Sequence, residues 1–253
     1  DIPLSLSGTF GELRSNHFHS GLDFRTHSKT GFNVYATGDG YISRIKISTF
    51  GYGKALYITH PNGYTSVYGH LLKTAPKIDA YLKEQHYKEQ SFEVDLVLGE
   101  GVLPVKQGEI IALSGNSGGS GGPHLHFEYR DTQTEKIINP LFFGLDAKIK
   151  DTKVPVVNEI VVYPISDDAV VNQSQQPISI PISLQKDGTY LASKVLAKGK
   201  IGIGVNTYDG SDNNYGKNGI YKMQTYLDGK PAFDIAFNTF SYDETRYINA
   251  YID

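Results

Sequence analysis

The sequence predicts a mainly β protein: an antiparallel β-sheet core with a short helical insertion, followed by an immunoglobulin-like β-sandwich. Three observations carry this prediction. Short runs of alternating apolar and polar residues recur along the chain. Glycine (27) and tyrosine (18) are plentiful. Turn signals such as Gly38-Asp39-Gly40, Asn62-Gly63 and Asp228-Gly229 stand between the runs.

Taken in order, residues 32–36 form one run and 41–48 the next, across the Gly38-Asp39-Gly40 turn. Runs 54–59 and 64–69 flank His60-Pro61-Asn62-Gly63. Asn-Gly between two such runs is a strong hairpin signal, and it puts His60 in an exposed turn. Between about 72 and 105 the texture changes. Residues 77–90 place Ile78, Tyr81 and Leu82 at helical spacing among lysines and glutamates, and Phe92, Val94, Leu96 and Leu98 then alternate like an added strand. This stretch reads as an insertion over or beside a groove. The core resumes with a strand over 109–114, a glycine-rich loop over 115–122 and a strand over 124–130.

After Asn139-Pro140-Leu141 comes a polar stretch, 146–156, that suits a linker, so the expected domains are 1–148 and 149–253. In the second, runs 159–163, 178–184 and 200–208, the hairpin 222–237 and a final strand 247–253 have the spacing of an immunoglobulin-like sandwich. Tyr208, Tyr215, Tyr221, Tyr226 and Tyr242 are expected as half-buried strand residues, a glycan-binding surface being the other reading.

Bulk properties narrow the function. A net charge of -3 gives no basic footprint for nucleic acid. No run of 18 apolar residues is long enough to span a bilayer. Asp1 opens without a charged leader and apolar core, as expected if an export signal has been removed or was never present, and a continuation past Asp253 stays open. The absence of cysteine removes disulfides and thiolate ligands, leaving His, Asp and Glu to hold any metal.

Of eight histidines, four fall in three local patterns: His19-Ser20-Gly21-Leu22-Asp23, Tyr68-Gly69-His70 at a strand end, and His124-Leu125-His126 after the glycine loop. In a strand, residues two apart share a face, so both imidazoles of His124 and His126 project together while Leu125 and Phe127 turn to the core. His19, Asp23 and His126 supply two neutral nitrogens and one carboxylate, a set that suits zinc with a fourth position open to water. Iron, cobalt and manganese stay open on donor type alone. The glycine loop lacks the Gly-Lys-Ser/Thr ending of a phosphate cradle, so it reads as a low wall along which a peptide backbone can approach.

These elements, H-x-x-x-D at His19 and Asp23, Gly69-His70-Leu71, and Gly-Pro-His-Leu-His-Phe-Glu over 122–128, resemble the signature of the LytM/lysostaphin-type zinc metallopeptidases. The resemblance runs from about 13 to 145 and includes Lys106-Gln107-Gly108-Glu109 and Ser117-Gly118-Gly119. It implies that His19, Asp23 and His126 ligate one Zn2+ and that His70 and His124 are catalytic. His124 is then the expected general base, and His70 stabilises developing charge or passes a proton to the leaving amine. Where several members of that family place a tyrosine, this chain has Leu13, so Arg14 and Asn16 become the candidates for oxyanion or substrate contact. The other reading of Arg14 is an ion pair with Glu12 or Glu128.

The function implied is a zinc-dependent endopeptidase cutting peptidoglycan stem peptides, of D,D type, in the periplasm or at the cell surface. The alternatives are a non-catalytic wall-binding or amidase-activating module, and a metallopeptidase acting on proteins.

Overall fold

The computed structural model describes residues 2–212, 216–250 and 252. Tyr215, one of the tyrosines singled out above, lies outside them. The N-terminal body is built from strands β1 (Leu6–Gly8), β2 (Leu22–Arg25), β3 (Asn33–Tyr35), β4 (Gly40–Ile47), β5 (Lys54–Thr59), β6 (Tyr64–Gly69) and β7 (Lys73–Thr74). Helix α1 (Pro76–Glu89) follows, then β8 (Val94–Val97), β9 (Pro104–Val105), β10 (Ile110–Leu113), β11 (His124–Asp131) and β12 (Ile137–Ile138).

One antiparallel sheet runs β1-β2-β11-β6-β5-β4-β8, and β3-β10-β7 form a second. Strand β11 is central to the site because β2 and β6 both pair with it, so Asp23, His126 and Gly69 stand in one cross-strand row. The alternation expected of β11 holds: Phe127 is buried in the main core while His126, Glu128 and Arg130 share the opposite face.

The insertion lies away from the candidate ligands. Helix α1 buries Ile78 and Leu82 in the main core, and β8 forms the sheet edge beyond β4, on the opposite side from β2. Proline at its first turn and Gln90 in a left-handed cap delimit the helix.

His60 corrects an expectation. It is buried, with Nδ1–H donating to the Asp39 carbonyl (2.8 Å) and Nε2 2.8 Å from Ser66 Oγ. Its turn folds back onto the Gly38–Gly40 bend, a long-range contact that local spacing does not encode.

Beyond the linker, Val156–Pro164 pairs with Ile178–Ile180 on one side and Ile201–Tyr208 on the other. The run expected over 178–184 is split at Pro181, which has no N–H to give a ladder, and Ile182–Leu184 pairs instead with Tyr190–Ala192. The hairpin Lys222–Leu227 with Lys230–Ala236 forms at the expected Asp228-Gly229 turn. Tyr208 is half-buried as expected, whereas Tyr221, Tyr226 and Tyr242 are exposed, and of these three only Tyr226 lies on a strand.

The last part of the described chain departs further from expectation. Thr239–Phe240 adds a strand to β12, and α2 (Tyr242–Thr245) leads into a 3-10 turn over Arg246–Ala250 where a strand is expected. Ser241 and Glu244 form a capping box, a helix-start signal present in the sequence. Phe240 and Ile248 complete a second apolar cluster with Leu6, Phe10, Phe18, Leu22 and Ile137.

No helix among the described residues is long and apolar enough to cross a membrane.

Candidate metal centre

His19 arrives on a loop whose backbone is pinned both ways: His19 N–H donates to the Glu12 carbonyl and Gly11 N–H donates to the His19 carbonyl. Strand β2 then carries Asp23, and β11 carries His126. The three candidate ligand atoms form a tight triangle. His19 Nε2 lies 3.1 Å from Asp23 Oδ1 and 3.2 Å from His126 Nδ1, and His126 Nδ1 lies 2.9 Å from the same Oδ1. Ligand atoms about 2.0–2.1 Å from one tetrahedral ion stand roughly 3.3 Å apart. The triangle therefore fits one face of a zinc tetrahedron to within a few tenths of an ångström, and all three residues are buried.

The outer partners fit the same reading. His19 Nδ1–H donates to the Thr9 carbonyl (2.8 Å), and His126 Nε2–H donates to Glu128 Oε1 (2.9 Å). Each ring thus spends its N–H on a fixed acceptor and turns its other nitrogen toward the triangle, the arrangement that orients histidine ligands in metal sites. Arg14 donates to Asp23 Oδ2 (3.2 Å), leaving Oδ1 to face the histidines. Arg14 also lies 3.7 Å from Glu12, whereas Glu128 pairs with Arg130. Asn16 is exposed, and its Oδ1 accepts from His17 Nδ1–H.

With no ion present, burial opposes charge on Asp23, yet hydrogen bonds from His124, His126 and His19 hold its carboxyl far below the usual range. Burial likewise opposes a proton on His126, but the flanking Asp23 and Glu128 push it up to about 9.

His70 and His124 line the open side, with ring centroids 4.7 Å apart. His70 Nδ1–H donates to the Ser117 carbonyl (2.8 Å), and His124 Nδ1–H donates to the Gly122 carbonyl (2.8 Å). Both rings are thereby anchored through Nδ1, and His124 Nε2 lies 3.4 Å from Asp23 Oδ1. Burial, with the neighbouring imidazoles adding to it, lowers His70 to about 4, so it is neutral near pH 7. His70 sits at φ 57, a left-handed conformation uncommon for a non-glycine residue at the end of a strand.

The glycine loop explains how His70 is held. Gly118 (φ +73) and Gly53 (φ +63) cross so closely that a Cβ on Gly118 would lie 2.3 Å from Gly53 N. That crossing brings the Ser117 carbonyl to His70, while Ser117 Oγ accepts from Lys54 N–H and donates to the Leu71 carbonyl. The loop is a packed support as well as a wall.

Behind His126 lies a buried network that the motifs do not contain. Glu128 Oε1 accepts from Ser20 Oγ (2.7 Å) and from the Tyr52 hydroxyl, and Arg130 Nε donates to Glu128 Oε2 (2.8 Å). Burial works against a charge on Glu128, but Arg130 and His126 keep its carboxyl well below the usual range. Glu128 is within reach of the period-2 argument, since it shares a face with His124 and His126. Tyr52, stacked on the His126 ring at 4.9 Å, carries no such signal.

Residues 17–86 match the model of Peptidase family M23. The M23 match takes in His19, Asp23 and His70 and ends before β11. Among relatives, the peptidoglycan DD-endopeptidase ShyB of Vibrio cholerae is 30% identical over 166 residues, covering 64% of this chain and 31% of that protein. The DD-carboxypeptidase/endopeptidase Mpg of Neisseria meningitidis is 32% identical over 118 residues, covering 47% of this chain and 21% of that protein. The chain thus spans less than a third of the length of these relatives. The crystal structure of a zinc containing peptidase from Vibrio cholerae aligns with a TM-score of 0.37 at 30% identity, over 51% of this chain and 34% of that one.

Proposed function

We propose that this chain is a zinc-dependent endopeptidase that hydrolyses peptide cross-links of bacterial peptidoglycan, of D,D type, acting in the periplasm or at the cell surface. The observation that carries the reading is the triangle of His19 Nε2, Asp23 Oδ1 and His126 Nδ1 beside two imidazoles anchored through Nδ1 on the Ser117 and Gly122 carbonyls. The names of the relatives support the substrate class.

His19, Asp23 and His126 would hold the ion. When bound, it supplies Lewis-acid chemistry, polarising a scissile carbonyl and making water more acidic. The chain's own residues do the rest. His124 takes the base role in this reading, since its Nε2 lies beside the ligand triangle, 3.4 Å from Asp23 Oδ1. His70, whose burial disfavours a charge, orients the attacking water through its Nε2 lone pair. The proton held by His124 then passes to the leaving amine nitrogen. Arg14 keeps Asp23 from turning both oxygens inward.

Of the expected second domain, 149–253, we propose an accessory immunoglobulin-like unit only for the part around the three-stranded antiparallel sheet of Val156–Pro164, since Gly219 and Thr239–Ile248 join the N-terminal body.

The test is to load the purified chain with one equivalent of Zn2+ and digest cross-linked muropeptides of defined structure. Products with the masses of D,D cleavage, lost on chelation and on His124→Ala, are expected. Zinc binding without any cleavage points to the wall-binding or activating module instead.

A further inference from the structure

The segment around residues 219–242 reaches the outer partners of both ligand histidines. Tyr242, on α2, is half-exposed, but its hydroxyl enters the network behind His126. It donates to Glu128 Oε1 (3.1 Å), accepts from an Arg130 guanidinium N–H (2.7 Å) and lies 2.5 Å from the Tyr52 hydroxyl. The Arg130 guanidinium stacks over the Tyr242 ring at 4.9 Å. Glu128 is fully buried, and its Oε1 is the atom that accepts from His126 Nε2–H. On the other flank, Gly219 N–H donates to Thr9 Oγ1 (3.1 Å), and Thr9 Oγ1 donates to the Gly219 carbonyl (3.3 Å). The Thr9 carbonyl is the acceptor that orients His19.

Docking of this segment is extensive. Asn139 N–H donates to the Asn238 carbonyl, the Asn139 amide donates to the Phe237 carbonyl, and Thr239 Oγ1 donates to the Ile137 carbonyl. Tyr242 therefore sits on a segment fixed to the sheet that carries His126, with Glu128 hydrogen-bonded to both its hydroxyl and the ligand, and Tyr52 beside all three.

We infer that Tyr242 is a positioning residue of the metal centre: its hydroxyl fixes Glu128, Glu128 fixes the His126 ring, and the segment carrying Tyr242 thereby sets the affinity of the site for its ion. The inference rests on the reading of His126 as a ligand. Outer partners of ligating histidines act by locking tautomer and ring orientation, and their loss typically costs about 10–100-fold in metal affinity.

The experiment measures Zn2+ affinity of the full chain by competition with a chelator, for wild type, Tyr242→Phe, Glu128→Gln and the double variant. Tyr221→Phe is the control, since the Tyr221 hydroxyl bonds Asn238 in the same segment and does not touch Glu128 in this network. Tyr242→Phe should bind about 10-fold more weakly, shift the visible d–d absorption of the Co2+-loaded protein, and add nothing further in the Glu128→Gln background. Tyr221→Phe should bind as wild type does. Phenylalanine keeps the ring over Arg130, and melting of the metal-free proteins separates folding from positioning. The inference is overturned if Tyr242→Phe keeps wild-type affinity and spectrum, even when it melts earlier. It is equally overturned if the loss is undiminished in Glu128→Gln, or if Tyr221→Phe weakens binding as much. A wild-type chain that fails to bind Zn2+ would sink the hydrolase reading itself.

Discussion

Asp23 and His126 face each other across adjacent antiparallel strands, with Oδ1 and Nδ1 2.9 Å apart and His19 Nε2 closing the triangle. Without an ion, that carboxylate has only imidazole and guanidinium groups for company. Asp23→Asn keeps the shape and removes the charge. It should lose more Zn2+ affinity than the 10–100-fold typical of outer-partner losses, with the fold retained. Chelator competition and circular dichroism check this; wild-type affinity in the Asp23→Asn variant would remove Asp23 from the ligand set.

His124 and His70 should separate from the ligands in their effects. His124→Ala should lower kcat by about 10²–10⁴-fold while one equivalent of zinc is retained, and His70→Ala should cost less. Turnover on muropeptides and metal analysis of the same samples decide the point. Unchanged turnover in His124→Ala moves the base role to His70.

Gly118→Ala tests the support under His70. Its φ of +73 and the 2.3 Å approach to Gly53 N leave no room for a methyl group, so the crossing must open. A strained backbone of this kind costs about 1–3 kcal/mol. The Ser117 carbonyl should move off His70, so kcat falls while Zn2+ affinity stays. Urea melts with steady-state kinetics read both parts; equal loss of metal binding would place the loop's influence on the ligands instead.

His60 gives a pH dependence of stability. Burial, partly offset by the Asp39 carbonyl, holds its pKa below the ordinary 6.5, so the folded chain keeps it neutral. The unfolded chain takes up a proton near 6.5 while the folded chain resists. The contribution is therefore full above that value and is lost as pH falls through it toward the folded pKa. His60→Gln should be less stable at neutral pH and decline less steeply between about pH 7 and 5. Parallel slopes for the two proteins would exclude His60 as the source.

The strand with the most chemistry is the most legible. Period-2 spacing puts His124 and His126 on one face and Phe127 in the core, and the same rule places Glu128 and Arg130 behind them. The Asn62-Gly63 and Asp228-Gly229 hairpins follow from residues that adopt their turns locally. What escapes depends on distance along the chain. His60 is buried by a bend some twenty residues upstream, reached only through the fold. Tyr52 and Tyr242 come to Glu128 across separations of 76 and 114 residues. Neither tyrosine stands in a pattern that marks it, and the capping box at Ser241 is the single local hint that the chain turns helical there.

Leu6 and Ile248 are buried in the same apolar cluster, so residues far apart in sequence share one nucleus of packing. A chain emerging from the ribosome or a translocation pore lacks that cluster until residue 248 has arrived, and so long a closure slows its formation. A nascent fragment that stops short of Phe240 is thus left with Leu6, Phe10 and Phe18 less covered, and the order of synthesis sets when they are sheltered.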